Sequence, residues 1–234
     1  MRHNKKIAVI IPALNEQESI GQVLTDIPKW VDDIIVVDNG SRDGTPDIAR
    51  TAGARVFRED QRGYGGSCLK GMANLKNPDI VVFLDGDYSD HPNEMDRLVD
   101  PLIEDNYDFV IGSRTLGQAE QGALAPQAKF GNWLACQLMY LFWKTRFTDL
   151  GPFRAIKYQK LLDLNMQDQN FGWTVEMQIK AVRQNLKTTE RPVSYRRRIG
   201  KSKVTGTLRG VIGAGYKILA TIFIYGFQSY LKKS

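Results

Sequence analysis

The chain has 234 residues, of which 42% are hydrophobic, 10% aromatic and 25% charged, and it carries a net charge of +6 at neutral pH. That apolar content is ample for a packed core and excludes disordered, collagen-like and low-complexity architectures, and the length suits one large domain or one domain with a short appendage. Two cysteines, Cys68 and Cys136, lie far apart with no CxxC pattern, which argues against a disulfide scaffold or a cysteine zinc site and makes a reducing cytosol the default compartment.

The N-terminus, MRHNKKIAVIIPALNE, is basic and then apolar, as a secretion signal is. The apolar run is short, however, and Asn15 and Glu16 close it without a small-residue cleavage site, so residues 7–12 read as a first strand. ESIGQVLTDIP reads as a helix ended near Pro28, and DIIVVD (33–38) as a second strand. TPDIARTAG is a helix with Thr45 as N-cap, Pro46 in the first turn and Gly53 as its stop. ARVFRE is a third strand, GGSCLKGMANL a helix, and DIVVFLDGD (79–87) a fourth strand running into acid. HPNEMDRLVDPLIEDN follows as a helix and DFVIGS (108–113) as another strand. Nearly all-apolar strands spaced by helices predict the α/β class, a mostly parallel sheet covered on both faces, with ligands beyond the carboxyl ends of the strands.

After Arg114 the alternation breaks. GQAEQGALAPQ is a loop, AKFGNWLACQLMYLFWK an apolar helix, TDLGPFRAIKY a turn into a short strand, WTVEMQIKAVRQN a helix, and PVSYRRRIGKSK a strand running into a basic loop. The expected division is a nucleotide-binding half over about 1–114, an acceptor half over about 115–206 and an amphipathic helix over 207–234.

Glu190 is the last acidic residue. Residues 191–234 hold ten basic ones, whereas the rest of the chain holds 22 basic against 26 acidic. A cationic end on a neutral-to-acidic body suits an anionic partner there, unless the charges form only a solvated face. In LRGVIGAGYKILATIFIYGFQSYL, residues Leu208, Val211, Ile212, Gly215, Ile218, Leu219, Ile222 and Phe223 recur at helical spacing, with Arg209, Gly213, Lys217, Thr221, Gln228 and Lys232 as a narrower polar stripe. The uninterrupted apolar run, Ile218 to Phe227, is half of the roughly 20 residues that span a bilayer. The expectation is a helix lying in a membrane interface, with packing on the domain's own core as the alternative. The aromatics sit on the apolar face rather than between arginines and lysines, which argues against nucleic acid.

Asp85-Gly86-Asp87 directly follows VVFL. Two carboxylates one residue apart at a strand end point the same way, and Gly86 lets a ligand approach the backbone. The pair suits Mg²⁺ or Mn²⁺ held together with substrate phosphates, Asp90 adding a third oxygen; the alternative is a capping cluster, with Ser89 and Asp90, before Pro92. Two acids ending a buried strand are costly without counter-charge. Asp38, Asn39 and Ser41 suit a base or ribose contact, or serve a turn with Gly40, Asp43 and Gly44. RGYGGS (62–67) opens a helix whose glycines offer a phosphate cradle, without P-loop or dinucleotide spacing. His3 and His91, the only histidines, fit no Ser/His/Asp arrangement, so a hydrolase triad is unsupported.

VIIPALNEQESI, VVDNGSRDGT, FLDGDYSDHPNEM, DFVIGSR, TDLGPFRAI and RRIGKSK, in this order and over nearly the whole chain, resemble the family 2 glycosyltransferases of GT-A fold. Within that family the likeness is to polyprenyl-phosphate sugar synthases of the dolichol-phosphate mannose synthase type. The resemblance implies that Pro12, Leu14 and Glu16, with Val37, Asp38 and Asn39, hold the nucleotide of a UDP- or GDP-sugar. It implies that Asp85 and Gly86 touch nucleotide and sugar, and that Asp87 binds a Mg²⁺ or Mn²⁺ ion bridging the diphosphate, with Asp90 as a further ligand. Arg114, Arg197 or Arg198, and Lys203 would bind donor and acceptor phosphates; Lys129 is the nearest basic residue where relatives carry an arginine.

Such a set works by charge: a metal ion and fixed cations stabilise the negative charge that grows on a departing nucleoside diphosphate. The implied reaction is inverting transfer to a dolichyl- or undecaprenyl-type phosphate, by an enzyme peripheral on the cytoplasmic face of a membrane, with homo-oligomerisation left open. Asp149 has two candidate roles: base toward a hydroxyl acceptor such as a glycan or glycolipid, or organiser of the site for a phosphate acceptor. The otherwise unexplained cationic tail favours the second. A catalytically silent nucleotide-sugar or lipid-binding module is the rival from another class. A sugar nucleotidyltransferase lacks its Gly-rich basic triphosphate signature near the N-terminus.

Overall fold

Apolar strands bounded by polar turns align side by side because their backbone groups, once buried, must pair with one another. In the computed structural model, which describes residues 1–200 and 208–231, the strands are β1 (Ile7–Ala13), β2 (Asp33–Asp38), β3 (Arg55–Arg58), β4 (Ile80–Phe83), β5 (Phe109–Ser113), β6 (Arg154–Lys157) and β7 (Thr188–Pro192). They form one sheet in the order β3-β2-β1-β4-β6-β5-β7. Every pairing is parallel except those of β6, which runs antiparallel to β4 and β5. Helix α5 (Pro126–Trp143) and the turn after it return the chain to the edge where β5 ended, so β6 enters from that edge. This reversal carries Asp149 and Arg154 to the ligand-binding end of a sheet whose other strands point there carboxyl end first.

Alternate residues of β1 face opposite layers. Ile7, Val9 and Ile11 pack with α1 (Ile20–Asp26), α2 (Thr45–Thr51) and α4 (Asp96–Ile103). Ile10 faces α3 (Tyr64–Ala73), α5, α6 (Tyr158–Leu164) and α7 (Trp173–Arg183). Helix α8 (Leu208–Leu231) packs on this second layer through Ile222.

The structure departs from the sequence expectations in several places. Thr45 is the first residue of α2 rather than its cap, and its hydroxyl accepts the Glu16 N–H at 2.7 Å. The helix expected over HPNEMDRLVDPLIEDN splits into a 3₁₀ turn, Pro92–Glu94, and α4. The last strand ends at Pro192 rather than starting there, and α6 was not anticipated. Helix α8 is 24 residues, and its stretch Gly210–Leu231 is long and apolar enough to cross a membrane by length and composition, because glycine, alanine and tyrosine extend the run beyond Ile218–Phe227.

Trp173 is wholly buried and meets Phe83 of β4 and Tyr64 of α3 edge-on, at ring-centroid distances of 4.7 and 6.1 Å. Trp173→Ala opens a cavity between α7 and the sheet and is expected to cost about 3–5 kcal/mol, measured as a lower urea midpoint.

Candidate active site

The carboxyl ends of β1, β2 and β4 open into a cavity of about 380 Å³. Pro12, Leu14, Glu16, Asn39, Asp85, Gly86, Asp87 and Arg198, all expected to bind ligand, line it together. A larger groove of about 1040 Å³ between α5, α7 and α8 shares none of these residues.

The cavity is crowded with acid. Asp87 Oδ1 accepts the Ser89 N–H and hydroxyl at 2.9 and 2.5 Å, which leaves Oδ2 facing Arg198 at 3.1 Å. Arg198 also reaches Glu16 at 3.0 Å, so its guanidinium bridges carboxylates from two strand ends. Asp90 Oδ2 accepts the Asp85 N–H at 3.2 Å, while its Oδ1 is buried with no hydrogen-bond partner among the described residues. Burial and then the Asp87 carboxylate push the Asp90 carboxyl up to about 7. Burial, Asp87 and Asp90 together push Asp85 well above the usual carboxylate range. Both groups therefore favour a further positive charge.

Beside these acids Arg114 grips Asp149. Its guanidinium reaches Oδ1 at 2.6 Å and Oδ2 at 2.8 Å, and its N–H adds a third bond to Oδ2 at 2.8 Å. Burial works against the Arg114 charge, but Asp149 more than offsets it, so the guanidinium pKa is held above its ordinary value. Tyr195 lies against Arg114, 5.1 Å from ring centroid to guanidinium carbon.

The triple arginine divides its work. Arg196 stacks on Tyr88 and donates to the carbonyls of Tyr88 and Asp90 at 2.6 and 3.0 Å, fixing the turn that carries the acids. Arg197 turns away and donates to Gln121 O at 2.8 Å, so it does not join the acids. Arg198 is the one that does. Lys203 lies outside the described residues, and Lys129 is exposed on α5.

Two other expected contacts do not line the cavity. Alternation along β2 places Val37 in the layer of Ile10 and Ile35, where it is wholly buried. Asp38 is buried as well and accepts the Ser41 N–H at 3.0 Å, serving the turn. The glycines of RGYGGS offer no phosphate cradle, since their N–H groups are already used. Gly63 donates to Asn39 Oδ1, Gly65 to Asn170 O and Gly66 to Gln169 O. Glycine is required there by close packing: a Cβ on Gly65 would sit 2.0 Å from Asp168 O.

Sequence reasoning missed Ala13, Asn170 and Phe171, which line the cavity with Arg62, Gly63, Tyr64 and Ser67 of the RGYGGS stretch. It also missed Ser19, whose hydroxyl donates to Gly86 O at 2.8 Å. The RGYGGS stretch carried a local signal as a glycine cluster opening a helix; Ser19, Asn170 and Phe171 look like ordinary helix-start and loop residues.

The profile of glycosyl transferase family 2 matches residues 8–164. An uncharacterized glycosyltransferase of Mycobacterium tuberculosis is 34% identical over 214 residues, covering 88% of this chain and 93% of its own. A dolichyl-phosphate hexose transferase of Haloferax volcanii is 32% identical over 202 residues, covering 85% of this chain and 86% of its own. Among solved structures, glucosyl-3-phosphoglycerate synthase of Mycobacterium tuberculosis, in complex with Mn²⁺, UDP-glucose and phosphoglyceric acid, matches the fold with a TM-score of 0.76 at 23% identity, over 95% of this chain and 80% of that one. With its mixed, mostly parallel sheet of GT-A type, the chain is a glycosyltransferase and belongs to glycosyl transferase family 2.

Proposed function

We propose that this glycosyltransferase moves a sugar from a UDP- or GDP-sugar to a polyprenyl phosphate of dolichyl or undecaprenyl type, lying on the cytoplasmic face of a membrane and using Mg²⁺ or Mn²⁺. The observation that carries this reading is the apolar surface that helix α8 leaves exposed. Its polar side faces the protein, where Lys217 pairs with Asp168, Tyr225 donates to Glu176, and Ser229 accepts the Trp143 N–H. Ile218 and Ile222 pack on the core, and much of the remaining apolar surface faces outward, with Ile212, Tyr216, Phe223, Ile224, Phe227 and Leu231 exposed. Phe142 of α5 packs edge-on against Phe223, and α5 adds exposed Phe130, Trp133 and Leu141. An apolar surface of this breadth marks an interaction site, and the basic segment that begins at Arg196 suits an acceptor with a greasy tail and an anionic head.

The acids fit a hard divalent cation. Mg²⁺ and Mn²⁺ use one or two carboxylates and complete their shell with water and substrate phosphates. Asp87 and Asp85 would hold such an ion, and Asp90, with its unpartnered oxygen, stands behind them. Among the described residues, the group of three ligand atoms lying within 4.8 Å of one another is instead His3, Asp100 and Glu104, and there Arg2 already pairs with Asp100. Bound at Asp87, the ion would neutralise charge developing on the departing diphosphate.

The chain's own residues do the rest. Arg198 stands where it can meet the diphosphate. A phosphate acceptor is already ionised near neutral pH, so its oxygen attacks the anomeric carbon as the bond to the diphosphate breaks, and no base is needed. Asp149 fits this, because Arg114 donates three hydrogen bonds to its two oxygens and so engages the carboxylate as its own partner. On this reading the transferase domain is followed by α8 (Leu208–Leu231) as a membrane-contacting helix, and residues 207 and 232–234 of the expected 207–234 segment lie outside the described residues.

Incubating nucleotide sugars with a short polyprenyl phosphate is expected to give product that requires Mn²⁺ or Mg²⁺, and Asp87→Ala to cut turnover by about 100-fold or more; no product with any donor would remove the reading. Asp149→Asn is expected to lower the melting temperature yet leave transfer measurable, whereas near-total loss in a folded variant would assign the base role and a hydroxyl acceptor. The protein is expected to sediment with anionic vesicles and the double variant Phe223→Ser, Phe227→Ser to stay in the supernatant.

A further inference from the structure

The loop over 167–172, between α6 and α7, supplies Asn170 and Phe171 to the wall of the donor cavity. Two buried carboxylates organise its backbone. Asp168 accepts the Asn170 N–H at 2.7 Å, and Glu176 accepts the N–H groups of Gln167 and Asp168 at 3.2 and 2.8 Å. The loop closes over the first turn of α3, where Gly65 and Gly66 donate to Asn170 O and Gln169 O at 3.2 and 2.8 Å.

Both carboxylates are held from α8. Lys217 Nζ lies 2.9 Å from Asp168, whose side chain is 8% exposed, and Tyr225 donates to Glu176 at 3.1 Å. Between them Thr221 lies so close that a Cβ on Gly172 would sit 2.7 Å from its Oγ1. Residues 217, 221 and 225 follow one another at i, i+4 spacing, so a single stripe of α8 meets the loop along its length. Lys180 of α7 also reaches Glu176, at 2.8 Å, whereas among the described residues Asp168 has Lys217 as its paired cation.

We propose that α8 braces the donor cavity, with Lys217 as a positioning residue that fixes Asp168 and, through the 167–172 loop, the placement of Asn170 and Phe171 against the nucleotide sugar. The brace rests on the reading of this cavity as the donor site. Helix α8 then has two jobs on opposite sides: its outer face meets the lipid and its inner face shapes the pocket. The contact acts on donor binding and leaves the reacting acids untouched, so it belongs to KM rather than kcat.

The test is calorimetric titration of the full chain, with Mn²⁺ present, by UDP and by GDP, alongside steady-state kinetics. Lys217→Ala is expected to weaken nucleoside diphosphate binding about 5-fold and to raise the donor KM by a like factor with kcat little changed. Lys217→Arg is expected to restore both. In an Asp168→Asn background, Lys217→Ala is expected to add little, because the pair acts as one unit. Asp168→Asn keeps the backbone contact and also carries the test alone if Lys217→Ala fails to fold. Unchanged affinity in both single variants, with the wild type binding, overturns the brace alone. Wild-type protein that binds neither nucleotide overturns the donor-site reading and the brace with it.

Discussion

Negative charge gathered at one end of a sheet is the constraint on which the rest of this structure depends. Glu16, Asp85, Asp87, Asp90 and Asp149 stand at or just beyond strand ends, and all but Asp85 are buried. Isolated charges taken from water cost several kcal/mol each unless paired. Arg198 pairs with Glu16 and Asp87, and Arg114 with Asp149. What remains uncompensated is confined to Asp85 and Asp90, whose raised pKa values mark where further positive charge is wanted. A divalent cation placed beside Asp85 and Asp90 would relieve that imbalance.

The arginines are not interchangeable because each meets different geometry. The planar fork of Arg114 matches a carboxylate on two atoms. Arg196 lies over a ring and binds carbonyls, and Arg197 binds a neighbouring loop. Arg154, wholly buried, has carbonyl partners at Leu150, Gly151 and Thr174, and burial brings its pKa down to about 10. It holds the turn after Asp149 rather than a ligand. Counting positive charge along the chain could not separate these roles, since all four residues look alike there.

Helix α8 illustrates the same point for apolar residues. Its sequence has a broad greasy side and a narrow polar stripe, and a core helix would bury the first. Here Lys217 and Tyr225 turn to the transferase body, where Asp168 and Glu176 supply partners, and of the apolar residues Ile222 is buried while Phe223, Ile224 and Phe227 stay exposed. The outward apolar residues give α8 a broad exposed face. The amphipathic pattern was legible in the residues; which side met the protein was not, since that depended on carboxylates about fifty residues away.

The sequence by itself determined the alternation of strands and helices, the acids at the end of β4, and the family, because those features are local: apolar runs of set length, turns of set composition, and motifs in fixed order. Tertiary structure alone decided that β6 runs backward and so delivers Asp149 to Arg114, that Arg198 rather than Arg197 reaches Asp87, and that Asn170 and Phe171 wall the cavity. Each of these is a pairing between residues distant in the chain, and such pairings follow from how layers pack, which no window of sequence contains.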